Sequence, residues 1–177
     1  GGVDPKDPDV VVIDDTGGTV TGGGGNDTVL GGNGSDSVDG GNGNDVVIGG
    51  GGSDTVIGGG GADYAIGGPG NDSFDGGEGN DKYVSGLGHD NVVGGTGDDV
   101  LLCDLSAMIN LGATFIFDGS DGNDAIYLSG LNGADPATIA AMIGMDNHDN
   151  TAFFDINTGS ILFKDINGNI ISADGQF

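Results

Sequence analysis

Apolar residues recur at every ninth position through the middle of the chain. Between residues 22 and 102 the sequence divides into nine consecutive nine-residue units without an insertion, and the eighth position of each unit is apolar. The short apolar-centred stretch of each unit predicts a strand with one side chain pointing inward. One unit cannot bury its single apolar residue alone, so the pattern predicts a stacked repeat architecture. The eighth-position residues are Val29, Val38, Val47, Val56, Ala65, Phe74, Tyr83, Val92 and Leu101.

The polar half of each unit is equally regular. Its fourth position is always glycine and its sixth is always aspartate. Glycine tolerates positive φ and lets backbone carbonyls approach one point, at which the aspartate also aims its carboxylate. Oxygen donors around a small cavity suit a hard cation, and calcium accepts six to eight of them. We therefore predict calcium binding by Asp27, Asp36, Asp45, Asp54, Asp63, Asp72, Asp81, Asp90 and Asp99.

The pattern Gly-Gly-x-Gly-x-Asp-x-apolar-x resembles the signature of the RTX (repeats-in-toxin) family. The resemblance implies an all-β fold, a right-handed parallel β-roll in which two units form one turn. It also implies about seven or more calcium ions along both edges, each held between one unit and the next but one. The implied aspartate pairs are Asp27/Asp45, Asp36/Asp54, Asp45/Asp63, Asp54/Asp72, Asp63/Asp81, Asp72/Asp90 and Asp81/Asp99.

Backbone carbonyls of the second and fourth positions would complete each calcium shell in such a roll. These positions are Gly23, Gly25, Gly32, Gly34, Gly41, Gly43, Gly50, Gly52, Gly59, Gly61, Gly68, Gly70, Gly77, Gly79, Gly86, Gly88, Gly95 and Gly97. RTX proteins are similar to one another in leaving the cell through type I secretion machinery. The resemblance thus implies a secreted, extracellular bacterial protein.

Three regions follow from the repeat register. Residues 1–21 are predicted to be a linker and a degenerate starting cap, residues 22–102 the nine-repeat roll, and residues 103–177 a small mixed C-terminal cap. Within the starting cap the ninefold phase places Asp9 in an aspartate position, where it would share an ion with Asp27.

The C-terminal region contains one further nonapeptide and several predicted elements. Residues 119–127 match the signature except at one position, so Asp124 is either another calcium ligand or part of an Asx turn. We predict two strands around Gly112 within Leu105 to Phe117, and a short helix from Ala137 to Ile143. Hairpin strands are predicted at residues 151–156, 160–164 and 170–172.

An apolar ladder is predicted on one outer face of the roll. Alternate units belong to opposite sheets, and the ninth position points outward. On one sheet this position is aliphatic in every unit, whereas on the other it includes Asp39 and Asp75. We expect the C-terminal cap or a second protomer to cover the aliphatic ladder, because a large exposed apolar surface is unusual on a monomer. The ladder residues are Leu30, Ile48, Ile66, Val84 and Leu102.

Charge and composition exclude several functions. The net charge of −25, with 28 acidic and three basic residues, disfavours nucleic acid and anionic membranes as partners. No apolar run reaches transmembrane length, so no membrane insertion is predicted. The single cysteine, Cys103, excludes an internal disulfide. Neither His89 nor His148 lies in a catalytic motif, and the chain has no nucleophile elbow or phosphate loop, so we predict no enzyme activity.

These observations predict a calcium-binding module that folds on meeting extracellular calcium and supports the secretion and folding of a larger exported protein. The 42 glycines and the acidic charge predict a largely unfolded chain without calcium. The alternative is a ligand- or surface-binding module of an adhesin or an extracellular enzyme. The repeats do not identify the activity of the parent protein.

Overall fold

Parallel β-strands dominate the computed structural model. It describes residue 6 and residues 8–13, 15–104, 114–129, 143–144, 151–155, 160–164 and 170–172. Seven strands form a first parallel sheet and seven others a second, with consecutive strands alternating between the two. This arrangement confirms the predicted parallel β-roll. The described residues contain no helix, and hence none long and apolar enough to cross a membrane.

Strand order in each sheet follows the chain. The first sheet consists of β1 (Val10–Val12), β3 (Thr28–Asn33), β5 (Val46–Gly51), β7 (Tyr64–Ile66), β9 (Lys82–Val84), β11 (Val100–Asp104) and β13 (Ala125–Ser129). The second consists of β2 (Thr19–Gly24), β4 (Ser37–Asn42), β6 (Thr55–Gly60), β8 (Ser73–Glu78), β10 (His89–Thr96), β12 (Thr114–Asp121) and β14 (Ile143–Gly144).

The register within the repeats is 18 residues, or two units. Val29 pairs with Val47, and Val38 pairs with Val56. The two upstream units join the same ladders, since Val11 pairs with Val29 and Val20 with Val38. Every equivalent position therefore stacks on its counterpart one coil away, which places like side chains in columns.

The apolar core lies between the two sheets. All nine eighth-position residues are buried, and Val20, Phe115, Phe117 and Ile126 extend the same core. Each fully buried valine stabilises the fold by roughly 1.5–3 kcal/mol. Phe74 and Tyr83 fill the centre with an edge-to-face contact whose ring centroids are 5.7 Å apart.

Beyond the repeats, the register changes but the sheets continue. Leu101 pairs with Ile126, and Val92 pairs with Phe117, each 25 residues along the chain instead of 18. The predicted strand before Gly112 lies outside the described residues, whereas residues 115–117 fall within β12 as expected.

The rest of the C-terminal prediction is partly confirmed. Three antiparallel strands, β15 (Thr151–Asp155), β16 (Ser160–Lys164) and β17 (Ile170–Ser172), form a separate sheet at the predicted positions. The prediction that Ile143 ends a helix is wrong, because Ile143 pairs with Phe115 as part of β14. Sheet pairing overrides local helix propensity there. Residues 137–142 of that predicted helix lie outside the described residues.

The apolar ladder lies in one column on the outside of the first sheet. Leu30 pairs with Ile48, Ile48 with Ile66, and Val84 with both Ile66 and Leu102. All five side chains are half-buried. On the second sheet the equivalent column contains Asp39 and Asp75. The two outer faces therefore differ as the eighteen-residue period predicts.

Candidate cation sites

The glycine-rich turns at the two edges bring backbone carbonyls close to the neighbouring coil. Gly41 and Gly43 have φ values of 100° and 132°, which side chains rarely adopt. A Cβ atom added to either residue would also collide with the carbonyl oxygen of its counterpart one coil earlier, Gly23 or Gly25. Glycine is therefore required at these positions both by conformation and by space.

The repeat aspartates form two buried rows, one along each edge. In each row the backbone N–H of one aspartate donates to Oδ1 of the aspartate 18 residues later. The Asp27 to Asp45 distance is 2.7 Å, for example, and the Asp36 to Asp54 distance is 2.9 Å. The structure brings together all seven aspartate pairs implied by the family resemblance.

The first row is longer than the second. Asp9 begins it by donating its N–H to Asp27 Oδ1 at 2.8 Å. Asp124 ends it by accepting the N–H of Asp99 at 2.9 Å. The first row is thus Asp9, Asp27, Asp45, Asp63, Asp81, Asp99 and Asp124; the second row is Asp36, Asp54, Asp72 and Asp90.

The second carboxylate oxygen of most of these aspartates has no hydrogen-bond partner. A buried, ionised oxygen without a partner is strongly unfavourable, and native proteins satisfy such groups with donors or cations. The unpartnered atoms are Oδ2 of Asp27, Asp36, Asp45, Asp54, Asp63, Asp72, Asp81, Asp99 and Asp124.

In the eight units that begin with glycine, this first residue packs directly against the unpartnered oxygen. A Cβ atom placed on Gly22 would lie 2.7 Å from Asp27 Oδ2 and 2.5 Å from the carbonyl oxygen of Gly40. At Gly58 the corresponding distances, to Asp63 Oδ2 and Gly76 O, are 2.6 and 2.7 Å. A carboxylate oxygen and a backbone carbonyl oxygen therefore converge beside the first glycine, where a side chain would not fit. Such oxygen donors fit a hard cation.

Side-chain ligands alone would not hold a metal ion in this arrangement. Within the described part of the chain, no three His, Cys, Asp or Glu side chains converge on one point. The neighbouring aspartates supply carboxylates, so the remaining ligands of an ion would be backbone carbonyls of the glycine-rich turns. Calcium accepts this mixture of carboxylate and carbonyl oxygens, whereas zinc and copper sites favour nitrogen and sulfur.

Burial raises the pKa of several aspartates in the two rows. Burial raises the pKa of Asp63, Asp72 and Asp124 to about 6 and that of Asp99 to about 7, and neighbouring aspartates add to the increase. Hydrogen bonds from the backbone act in the opposite direction. Desolvation of this kind makes a bare carboxylate unfavourable and increases the gain from a bound cation.

Tyr83 places a phenol among the first-row carboxylates. Its hydroxyl is buried, makes no hydrogen bond of good geometry, and lies beside the same space as Asp81 Oδ2 and the Gly94 carbonyl. Burial raises the pKa of this phenol, and Asp81 and Asp99 raise it further. The unit before it has Phe74 at the equivalent position, without a hydroxyl.

The fold and these edges define an acidic parallel β-roll with sites for hard cations. The sequence agrees, because residues 21–56, 48–83, 57–92 and 84–102 match the model of the RTX calcium-binding nonapeptide repeat. These residues belong to the RTX family, and the module they form binds calcium. Comparison with curated proteins found no match.

Two residues near the rows were not among the sequence predictions. Ser85 and Tyr83 place hydroxyl groups beside Asp90 and Asp81. Ser85 was visible in the sequence as the one non-glycine first position in nine units. Tyr83 was visible only as an apolar core residue, and its proximity to a carboxylate required the fold.

Proposed function

We propose that calcium ions bind between neighbouring coils along both edges and that the chain folds as they bind. Each ion would be held by aspartates one coil apart and by carbonyls of the second and fourth glycines. The observation that carries this proposal is the series of buried Oδ2 atoms without partners, in turns whose glycine carbonyl oxygens lie close against the neighbouring coil. About seven or more ions are expected, with Asp9 and Asp124 extending the first row.

The electrostatics explain why folding and binding should be coupled. Folding buries two rows of carboxylates in a chain whose net charge is already −25. An ion that binds only the folded state adds its binding free energy to the free energy of unfolding. Extracellular calcium modules respond at roughly 10⁻⁴–10⁻³ M. The chain would therefore stay unfolded at cytosolic calcium levels and fold outside the cell.

This behaviour suits an exported protein. Proteins with RTX repeats are typically secreted bacterial proteins, and an unfolded chain can pass through a narrow export channel. We propose that this module supports type I secretion and folding of a larger extracellular protein, without a catalytic role of its own. The acidic charge argues against nucleic acid as a partner.

The apolar ladder supports an additional contact. We propose that residues of the C-terminal region, or failing that a second protomer, pack over Leu30, Ile48, Ile66, Val84 and Leu102. Full burial of each aliphatic side chain contributes roughly 1.5–3 kcal/mol. Ile66→Asp should then increase binding of a hydrophobic dye or dissolve an oligomer. Ile57→Asp, on the opposite sheet, should do neither; equal effects of the two variants would contradict the proposal.

Calcium-dependent folding is tested by circular dichroism of the full chain with excess chelator and during calcium titration. We expect loss of the β spectrum without calcium and its cooperative recovery on addition. Two aspartates of one unit provide a matched pair: Asp72 is buried in the second row, whereas Asp75 is exposed on the outer face. Asp72→Asn should raise the calcium midpoint and Asp75→Asn should not. An unchanged spectrum without calcium would refute the proposal.

A further inference from the structure

Asp90 differs from the other repeat aspartates in the bonding of its carboxylate. All nine are described by the structure, and Asp90 is the one whose Oδ2 accepts a hydrogen bond from a side chain, namely from Ser85 Oγ at 3.3 Å. Its Oδ1 accepts the N–H of Asp72 at 3.1 Å, as in the rest of the row. Both oxygens of this buried carboxylate are thus satisfied by the protein itself.

The group that satisfies Asp90 comes from the one unit that does not begin with glycine. The first position is glycine in eight units and serine in the eighth unit, Ser85. A Cβ atom on Gly67, one coil earlier, would collide with Asp72 Oδ2. Ser85 carries a Cβ and a hydroxyl at the equivalent position, where it is 8% exposed. A protein hydroxyl therefore partners Oδ2 in this unit, whereas glycine at the first position of the other eight units has no side chain that could do so.

The backbone of this turn has also changed. In the other eight units the second glycine has φ between 93° and 111°, but Gly86 lies outside this left-handed range. The nearby Gly86 backbone lowers the pKa of Asp90 against the increase caused by burial. The eighth unit thus differs from the other eight in the backbone conformation of its second residue as well as in the identity of its first.

The two rows of aspartates end at different coils. Asp90 is aligned with Phe115, which is 1% exposed, so the second row has no further aspartate after Asp90. In the first row, by contrast, Asp99 is followed by Asp124, and both keep an unpartnered Oδ2. The second row therefore ends at Asp90, whereas the first row continues for another coil.

We infer that Asp90 is a structural carboxylate and not a calcium ligand, and that Ser85 is the residue that closes the second row. The family resemblance implied an ion shared by Asp72 and Asp90. In this protein the hydroxyl of Ser85 partners the Asp90 oxygen that would otherwise be available to an ion. Counted by unpartnered Oδ2 atoms, six carboxylates serve the first row and three the second. Calcium loading is consequently asymmetric between the two edges. This inference rests on the proposed calcium sites.

The test is a count of bound calcium in the full chain at saturation, by equilibrium dialysis and atomic absorption. Asp90→Asn should bind as many ions as the wild type and keep its calcium midpoint within about twofold. Asp72→Asn should lose at least one ion and shift the midpoint upward. Loss of an ion in Asp90→Asn equal to that in Asp72→Asn would overturn the inference.

A second variant covers the case in which Asp90→Asn does not fold. Ser85→Ala keeps the Cβ but removes the hydroxyl, so it should lower the thermal midpoint in saturating calcium without changing the number of bound ions. Ser73→Ala, at an exposed position of β8, is its control and should change neither. A lower ion count in Ser85→Ala would also overturn the inference. Absence of calcium binding by the wild type would refute the proposed function instead.

Discussion

The centre and the edges of the roll are equally buried but differ in how their side chains are satisfied. At the centre, Val29 and Val47 are 0% exposed and need only apolar neighbours, which the stacked coils supply. At the edges, Asp27 and Asp45 are each 2% exposed, and each has an oxygen without a partner. The protein's own side chains satisfy the centre, whereas the edges leave buried carboxylate oxygens that a bound cation would satisfy. Under the proposed function, folding of the centre then depends on cation binding at the edges.

The largest effect is expected from a change at the centre. Phe74→Ala removes a 1% exposed aromatic ring between the sheets, and such truncations cost about 3–5 kcal/mol in free energy of unfolding. Denaturant unfolding in saturating calcium measures this loss. The number of bound ions should not change, because Phe74 contributes no oxygen to either row. A loss of ions together with stability would show that centre and edges are not separable.

A change at an edge should act mainly through calcium. Asp63 lies in the middle of the first row, hydrogen-bonded through its carboxylate to the N–H of Asp45 and through its N–H to Asp81. Asp63→Asn keeps the shape but removes a charge from two proposed sites. We expect the calcium midpoint to rise about tenfold, equivalent to about 1.4 kcal/mol, and the cooperativity to fall. Calcium titration by circular dichroism measures both.

A variant at the beginning of the first row tests whether ions are shared along the row. Asp9 begins the first row and has a neighbouring aspartate on one side, Asp27, among the described residues. Asp9→Asn should therefore shift the calcium midpoint less than Asp63→Asn. Equal shifts would argue against ions shared along the row.

The centre was largely predictable from the sequence and the edges only in part. The nine-residue period places Val29, Val47 and their equivalents on the inside because a short strand has one inward position per unit. The same period identifies the aspartates and their eighteen-residue spacing. It does not reveal that Asp90 is capped, because the hydrogen bond from Ser85 depends on the local shape of one turn.

The C-terminal region shows the limit of periodic reasoning. The nonapeptide at residues 119–127 pairs with the roll at a spacing of 25 residues, which the nine-residue period does not predict. The predicted helix ending at Ile143 was wrong because local propensity competed with pairing to β12, a contact between distant parts of the chain.

A change in pH should act on the edges of the roll, whose aspartates titrate, and not on its apolar centre. In the folded, calcium-free chain the pKa of Asp63 is raised to about 6 and that of Asp99 to about 7, above the value of about 3.9 for an unfolded chain. These groups therefore favour the calcium-free fold at low pH, and this contribution is lost as the pH rises through about 6 to 7. Calcium, in contrast, needs the ionised carboxylates.

Two opposite pH dependences are thus expected. Without calcium, β structure measured by circular dichroism should be greater at pH 5 than at pH 8. The calcium concentration at the folding midpoint should be higher at pH 5.5 than at pH 8. Phe74→Ala should keep both trends, since it removes no titrating group. A calcium midpoint that does not change with pH would show that protons do not compete at the rows.

The smallest predicted effect lies where the centre meets an edge, at Tyr83. Its ring packs with Phe74 in the core, and its hydroxyl lies beside Asp81 Oδ2 and Gly94 O. Tyr83→Phe removes only the hydroxyl and reproduces the chemistry already present at Phe74. Because the hydroxyl lies beside a proposed calcium ligand, its loss should affect the stability of the calcium-free and calcium-bound folds by different amounts.

In the proposed calcium-bound state Asp81 Oδ2 would have a cation as partner, so the phenol should contribute little and Tyr83→Phe should change the free energy of unfolding by less than about 1 kcal/mol. Without calcium, the phenol lies beside the bare carboxylate of Asp81, and its removal should destabilise any residual fold. The chain folds as calcium binds, so the small loss of stability of the calcium-bound fold should raise the calcium midpoint of Tyr83→Phe slightly, by less than that of Asp63→Asn. Tyr64→Phe, at an outward position 37% exposed, is the control. Equal calcium midpoints for the two tyrosine variants would show that the Tyr83 hydroxyl does not affect calcium binding at the edge.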